Sequence, residues 1–261
     1  MFPPLETYSV DRLTIEVHAG REPLAGAAAR HGASLIRSAL RAKGGARIIV
    51  ATGNSQTPTI AALASEKDLD WSHIEVFHMD EYCGLPETHP ASFRLWIKTH
   101  LADVVHPGAV YYLAGDAPDA GAECRRYAEL VSAGPIDVCF LGFGENGHIA
   151  FNDPHAADFG DPLLVKPVAL DERCRIQQVG EGHFPDLDAV PNEALTLTCP
   201  ALMAAGHLVC SVPEQRKAEA VRTALQAPIA PACPASLLRT HPRAVLYLDR
   251  DSASLLEKSL P

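Results

Sequence analysis

The chain has 261 residues, of which 47% are apolar and 21% charged, and its formal net charge is −10 at pH 7. This composition is typical of a globular protein and excludes a largely disordered one. The negative charge argues against a nucleic-acid partner and against binding to a membrane surface, because both require a basic face. It does not exclude a phosphorylated substrate, since a pocket needs positive charge only locally.

Three sequence features favour a cytoplasmic protein. The first residues, MFPPLETYSVDRL, lack the pattern of a secretory signal, and no apolar run is long enough to span a bilayer. The seven cysteines are odd in number and include no Cys-x-x-Cys pair. We therefore expect them to be reduced and mostly buried.

In chain order, the predicted elements alternate between strands and helices. The stretch 13–19 predicts an edge strand, and 22–42 predicts a helix that Gly44 and Gly45 close. A β-branched run at 46–51 predicts a buried strand, and Pro58 opens the next helix. The later strands are predicted at 74–79, 136–143, 194–199, 207–212 and 244–249, and the later helices at 90–102, 118–132, 214–226 and 234–239.

This alternation predicts one α/β domain over residues 1–261. Because most strands are continuous apolar runs, we expect a doubly wound, mainly parallel, Rossmann-like sheet with helices on both faces. Ligands of such sheets bind beyond the carboxyl ends of the strands. This rule selects three loops, at 52–57, 80–89 and 144–154.

The first two loops contain a candidate anion site and a candidate base. Thr52, Gly53, Asn54 and Ser55 follow a buried strand and precede a helix, where free N–H groups can bind a phosphate. An ordinary strand-to-helix turn is an equally good interpretation, and without Gly-Lys-Ser/Thr the loop is not a nucleotide P-loop. Asp80, followed by another acid, could act as a base on a carbon acid. A solvated pair or a helix cap is the alternative.

The third loop, GFGENGHIAFNDP at 142–154, contains a literal G-x-G-x-x-G motif directly after a strand. A dinucleotide site would need this motif to open a helix, but Pro154 follows within two turns. We therefore disfavour a dehydrogenase. The loop instead offers His148 with two possible orienting partners, Asn146 and Asp153.

Four segments, in this order and spacing, resemble the glucosamine-6-phosphate deaminase/isomerase family. They are ATGNSQTP, FHMDEYCGLPETHPASF, DVCFLGFGENGHIAFNDP and VPNEALTLTCPAL. The similarity runs from about residue 45 to about residue 250, nearly the whole chain. The wider superfamily includes 6-phosphogluconolactonases, which generally lack the MDEY segment and the HIAFN continuation.

The resemblance implies a role for each residue that handles protons. Asp80 matches the general base that moves a proton between C2 and C1 of the open-chain sugar. His148 matches the histidine that opens the pyranose ring. Asp153, where the family usually has Glu, and Asn146, where members have Asp or Asn, would orient this histidine.

The resemblance also implies a phosphate site made by Thr52, Gly53, Asn54, Ser55 and Lys217. The family's phosphate arginine has no match in QQVGEGHF, the segment before VPNEAL. His183, within this segment, is a candidate replacement. The family's reaction requires no metal and no organic cofactor.

The implied activity is conversion of glucosamine 6-phosphate, or a close amino-sugar phosphate, to fructose 6-phosphate and ammonia. A lactone hydrolase is the alternative, in which His148 would activate water. A non-catalytic sugar-phosphate sensor is disfavoured because both proton-handling residues are present. The partner is thus a small sugar phosphate, and assembly into a homo-oligomer stays open.

Some family members are activated by N-acetylglucosamine 6-phosphate at a second phosphate site, which uses basic and hydroxyl residues shortly after the HIAFN motif. Here the stretch 155–165 has two acids and no Arg, Lys, Ser or Thr. We therefore expect this activation to be missing.

Overall fold

The computed structural model describes residues 3–256, which contain eleven strands. In chain order these are β1 (Glu6–Val10), β2 (Leu13–His18), β3 (Ala46–Val50), β4 (Ile74–His78), β5 (Asp80–Tyr82), β6 (Ala109–Tyr111), β7 (Val138–Leu141), β8 (Val165–Ala169), β9 (Glu193–Leu197), β10 (His207–Val212) and β11 (Ala244–Asp249). Eight of them form the main sheet, in the order β1-β2-β11-β10-β7-β3-β4-β6. Every neighbouring pair in this sheet is parallel except β1 and β2.

The helices connect these strands. They are α1 (Arg21–Lys43), α2 (Thr57–Ala64), α3 (Phe93–Ile97), α4 (Asp103–Val105), α5 (Ala120–Ser132), α6 (Glu172–Gly180), α7 (Cys199–Met203) and α8 (Ala218–Gln226). A single π turn, Lys98–Ala102, joins α3 to α4. Helix α1 ends where Gly44 adopts a left-handed φ of 77° and donates its N–H to the carbonyl of Leu40, a conformation that glycine adopts without strain.

Helices cover both faces of the main sheet. Successive residues of its central strands enter different cores: Ile48 packs in a core with α1, whereas Ile49 packs in a core with α5 and α8. Val138 and Cys139 alternate in the same way, and all four are fully buried. Burying each large aliphatic side chain contributes about 1.5–3 kcal/mol, so both faces must be covered. The prediction of a doubly wound, mainly parallel sheet is confirmed.

A second sheet has three antiparallel strands in the order β5-β9-β8. The strand predicted at 194–199 is present as β9, and it lies in the small sheet, antiparallel to both of its neighbours. Tyr82, Phe151 and Phe184 form a third apolar cluster beside it. The ring centroids of Phe151 and Phe184 lie 5.1 and 5.4 Å from that of Tyr82. The small sheet thus adds a wall beside the carboxyl end of β4.

Other details of the prediction need correction. The strand at 13–19 is not an edge strand, because β1 pairs with its outer side. Strands β1, β5, β6 and β8 and helix α6 were not predicted. The helix expected over 90–102 begins at Phe93 and continues through the π turn to Val105.

The cysteines behave as expected: all seven are free, and all but Cys83 are buried. Within residues 3–256, no helix combines the length and the apolar character needed to cross a membrane.

Candidate active site

One pocket lies at the carboxyl ends of β3, β4 and β7, where the sequence predicts a ligand site. It is lined by seven of the predicted residues: Thr52, Gly53, Asn54, Ser55, Asp80, His148 and Lys217. Asn146 and Asp153 are not part of its lining and lie behind His148. The pocket therefore brings together residues that are up to 165 positions apart in the sequence, from Thr52 to Lys217.

Asp80 is the acid at the floor of this pocket. It begins β5 directly after the chain leaves the main sheet, and only 6% of the residue is exposed. Among residues 3–256, none donates a hydrogen bond to its carboxylate. Burial, and then the neighbouring charge of Glu81, raise the pKa of Asp80 well above its usual value. A desolvated carboxylate without hydrogen bonds is a stronger base than a solvated one.

Glu81, the second acid of the pair, has a structural role. Its carboxylate is fully buried and accepts hydrogen bonds at 2.7–3.3 Å from five donors: the backbone N–H groups of Tyr82, Phe93 and Arg94, the hydroxyl of Ser92 and Nε of Arg94. Two of these N–H groups open helix α3, where a carboxylate is favourable. The helix-cap interpretation thus holds for Glu81, while Asp80 faces the pocket.

Two polar side chains contact the same ring nitrogen of His148 and orient the ring. Its Nδ1 lies 2.7 Å from Oδ1 of Asn146 and 3.1 Å from Oδ1 of Asp153. Asn146 Nδ2 donates to the same Asp153 oxygen at 2.8 Å. Because both neighbours of Nδ1 are acceptors, this nitrogen carries the proton. Nε2 is then left to exchange a proton with a ligand in the pocket.

Asp153 stays charged behind the histidine. It is fully buried, and burial alone would raise its pKa. Hydrogen bonds and charge from His148 and a hydrogen bond from Asn146 outweigh burial, so the pKa of Asp153 is lowered. A buried carboxylate paired with an imidazole stabilises the protonated imidazole. This arrangement suits a histidine that gains and loses a proton during a reaction.

The three glycines of G-x-G-x-x-G each serve packing. A Cβ on Gly142 would overlap Gln56, a Cβ on Gly144 would overlap the His148 ring, and Gly147 has a φ of 83°. The segment that follows makes turns and reaches β8 without forming a helix. A dinucleotide site requires that helix, so disfavouring a dehydrogenase was correct.

The same pocket contains a buried lysine. Only 3% of Lys217 is exposed, and its ammonium forms no hydrogen bond or ion pair within residues 3–256. Burial, and then Arg216, lower its pKa. It shares the pocket with the 52–55 loop, which leads into α2. A buried cation beside a helix N-terminus is well suited to bind a phosphate.

Sequence reasoning missed residues on this side of the pocket. Helix α6 and the loop after it contribute Gln177, Gln178 and Glu181. Burial raises the pKa of Glu181, but hydrogen bonds from His183, Gln177 and Arg216 outweigh it and lower the pKa to about 2. His183 also lines the pocket, with its Nε2 3.4 Å from Oε2 of Glu181. The polar segment QQVGEGHF was the available signal, and of its residues the sequence-based prediction included only His183.

Two groups of side chains have potential metal-ligand atoms within 4.8 Å of one another. They are His148, Asp153 and Cys174, and Asp153, His155 and Asp171. Both groups include Asp153, whose Oδ1 already faces His148 and Asn146. The hydrogen bonds that orient His148 account for the first group without an ion, and the expectation of a metal-free site stays a prediction.

The fold is shared with known sugar-phosphate enzymes. A 6-phosphogluconolactonase from Shewanella baltica OS155 matches with a TM-score of 0.75 and 20% identity, over 93% of this chain and 98% of that one. At this identity the likeness concerns the fold alone.

More similar proteins define the family. A structure of a monomeric glucosamine-6-phosphate deaminase matches with a TM-score of 0.83 and 32% identity, over 92% of this chain and 99% of that one. A glucosamine-6-phosphate deaminase from Bacillus cytotoxicus is 32% identical over 232 residues, 89% of this chain and 86% of the relative. The family model for glucosamine-6-phosphate isomerases/6-phosphogluconolactonase matches residues 19–247. The chain belongs to this family, and the resemblance of its motifs is confirmed.

Proposed function

We propose that this protein is a glucosamine-6-phosphate deaminase that converts glucosamine 6-phosphate to fructose 6-phosphate and ammonia. One observation carries the proposal: Asp80, His148 and Lys217 line a single pocket. A base without hydrogen bonds, an oriented imidazole and an unpaired buried cation supply what an amino-sugar phosphate requires. The relatives named as glucosamine-6-phosphate deaminases support the same substrate.

His148 opens the pyranose ring in this proposal. As the C1–O5 bond breaks, O5 gains a proton and the C1 hydroxyl loses one, which leaves the open-chain aldehyde. An imidazole can mediate both transfers near neutral pH. Asn146 and Asp153 act through His148, because they hold its Nδ1 proton and leave Nε2 for the sugar.

Asp80 then moves a proton along the opened chain. Its carboxylate removes the C2 proton to give an enolamine and returns a proton to C1, which leaves an imine at C2. Water adds to the imine and ammonia leaves, giving fructose 6-phosphate. The raised pKa of Asp80 suits a group that must both accept and return a proton.

The phosphate binds between Lys217 and the N–H groups of Thr52, Gly53, Asn54 and Ser55. Lys217 supplies the charge, since no described residue neutralises its ammonium with an ion pair. His183 stands in the segment that lacks the family's arginine and adds a donor to this end of the pocket. Glu181 holds His183 in place, as Arg216 holds Glu181.

Product analysis tests the proposal. The purified protein is incubated with glucosamine 6-phosphate in D2O, and ammonia, fructose 6-phosphate and deuterium at C1 are measured. Stoichiometric ammonia and fructose 6-phosphate with solvent deuterium at C1 are expected. Acid release from 6-phosphogluconolactone without ammonia would instead establish the lactone hydrolase, in which Asp80 has no carbon-acid role.

We further propose that residues 1–261 act as one domain, because loops of both sheets line the pocket. We also propose a cytoplasmic location, where charged sugar phosphates are retained. Homo-oligomer formation stays a prediction that sedimentation equilibrium would check.

A further inference from the structure

His78 is a fully buried histidine two residues before Asp80. It ends β4 of the main sheet, and Asp80 begins β5 of the small sheet. Only Met79 separates the two strands. The direction in which the Asp80 side chain points therefore depends on how the backbone is held at this junction.

Both ring nitrogens of His78 contact backbone groups. Nε2 accepts a hydrogen bond from the N–H of Leu113 at 2.9 Å. Nδ1 lies 2.9 Å from the carbonyl oxygen of Asp80. Since Nε2 must be the acceptor, Nδ1 carries the proton and donates to Asp80. Burial lowers the pKa of His78 to about 4, so the ring is neutral near pH 7.

The hydrogen bond from His78 holds the backbone of Asp80 on the side that does not pair with the small sheet. The carbonyl of Met79 accepts a hydrogen bond from the N–H of Leu197, the last residue of β9. Successive carbonyls of an extended chain point in opposite directions, so that of Asp80 points away from β9 and toward the main sheet. There the Asp80 carbonyl accepts a hydrogen bond from the His78 ring. Consecutive carbonyls are thus held from opposite sides.

We propose that His78 is a positioning residue that aims the Asp80 carboxylate at the sugar by donating its Nδ1 proton to the Asp80 carbonyl. Because the Asp80 carboxylate has no hydrogen bond of its own within residues 3–256, its orientation follows that of its backbone. The inference rests on the proposed deaminase function. A shift of about 1 Å in a reacting group can reduce a rate by roughly 10²-fold, so a backbone hydrogen bond can matter greatly.

Two substitutions separate the bonds of His78. In His78→Asn, the amide replaces Nδ1 and can donate to Asp80. In His78→Gln, the longer amide replaces Nε2 and can accept from Leu113 but no longer holds Asp80. Another buried histidine gives a matched control: His241 bridges Ala205 and Arg243 through its two nitrogens and does not line the pocket.

The experiment measures kcat, KM and the isotope effect on kcat with glucosamine 6-phosphate deuterated at C2. We expect His78→Gln to lower kcat at least about tenfold with KM nearly unchanged and to raise the isotope effect, because proton transfer becomes slower. His78→Asn should restore most of kcat, and His241→Gln should leave the isotope effect unchanged. Equal losses in both His78 variants, or an unchanged isotope effect in His78→Gln, would show that His78 only stabilises the fold.

A second measurement requires no substitution. Long-range ¹H–¹⁵N correlation spectra of the wild-type protein report which histidine nitrogens carry protons. His78 should appear as the Nδ1–H form throughout pH 6–8, and an Nε2–H form would overturn the proposal. If the wild type releases no ammonia, the proposed function fails. If the wild type is active and His78→Gln matches it, only this inference fails.

Discussion

The two ends of the pocket are built in different ways. Around Asp80 and His148, the polar residues His78, Asp80 and Asp153 are buried. Hydrogen bonds between residues close in the sequence hold the Asp80 backbone and the His148 ring. The proposed phosphate end consists of the 52–55 loop, one lysine and the segment after α6. Its central ion pair joins Arg216 to Glu181, and 30% of the arginine side chain is exposed.

Because of this difference, we expect the residues around Asp80 and His148 to determine the rate of the reaction and those of the proposed phosphate end to determine the affinity for the substrate. Proton transfer depends on atoms placed to a fraction of an ångström, which buried hydrogen bonds can enforce. Phosphate binding depends mainly on charge, which acts over a longer range and tolerates more movement. Substitutions at the first end should therefore change kcat, and those at the second end should change KM.

The largest effect is expected for Asp80→Asn. The amide is close in size but cannot accept the C2 proton, so kcat should fall about 10³-fold while KM changes little. Steady-state ammonia release and solvent-deuterium incorporation at C1 measure the loss. Asp70→Asn, at an exposed helix cap where Asn serves as well, is the control. Substantial turnover by Asp80→Asn would remove Asp80 from the mechanism.

His148→Gln should have the next largest effect. Loss of the imidazole should slow turnover of the cyclic sugar by about 10²-fold, because ring opening loses its proton carrier. An analogue without the C5 hydroxyl, which cannot form a pyranose, should be spared. Competition kinetics between the two substrates measure the difference. Equal losses on both would exclude the ring-opening role, and a lowered Tm would indicate that the ring mainly packs on Gly144.

Lys217→Ala tests the phosphate end. Removing a buried charge that faces the phosphate should raise KM roughly 10- to 100-fold, with a smaller change in kcat. Arg222→Ala provides a control at an exposed arginine nearby in the chain. An unchanged KM would place the phosphate elsewhere or indicate a substrate without one.

The pH dependence of kcat/KM tests the environment of Asp80. The carboxylate form is the base, so activity is lost as pH falls through the pKa of Asp80. Because burial and Glu81 raise this pKa, the acidic limb should begin above the range of an ordinary aspartate and fall about tenfold per pH unit. A rate that stays constant down to pH 4 would contradict a buried base.

The smallest effect is expected for N-acetylglucosamine 6-phosphate. Lys166, the first cation after the stretch 155–165, already binds Asp161 and the carbonyl of Ala156 at 2.7 Å each. An anionic effector would have to displace both contacts. Rate curves against glucosamine 6-phosphate should stay hyperbolic whether or not the effector is added. A sigmoidal curve that the effector makes hyperbolic would reveal a site that these residues do not suggest.

The sequence predicts the central strands well because each of them is a short, continuous apolar run. Runs such as ARIIV are apolar at nearly every position, as a strand covered on both faces requires. Strand β5, with the sequence DEY, gives no such signal, since only contacts with Ser92, Arg94 and other groups outside the strand satisfy the buried Glu81 carboxylate. Strand β2 alternates between buried and half-buried residues, a pattern typical of an edge strand. Its position inside the sheet follows only from its pairing with β1, which the sequence did not predict.

In the candidate site, too, the features visible in a local stretch of sequence were predicted, and those that depend on contacts between separate segments were not. Motifs located Asp80, His148 and the 52–55 loop, because these residues stand at strand ends. The donors to Glu81 and the role of His78 depend on contacts across the chain, such as the bond from Leu113, 35 positions away. Neither the composition of the chain nor the spacing of its motifs predicts such contacts.

The ion pairs of Arg216 should make the Glu181 side of the pocket respond to ionic strength. Its guanidinium lies 2.6 Å from Glu181, 2.6 Å from Glu214 and 3.1 Å from Glu145, so one side chain ties together three loops. At 1 M salt the Debye length is about 3 Å, and partly exposed charges attract one another weakly. The apolar cores are unaffected by this screening. Concentrated salt should therefore loosen the rim around the substrate while the sheet beneath it stays intact.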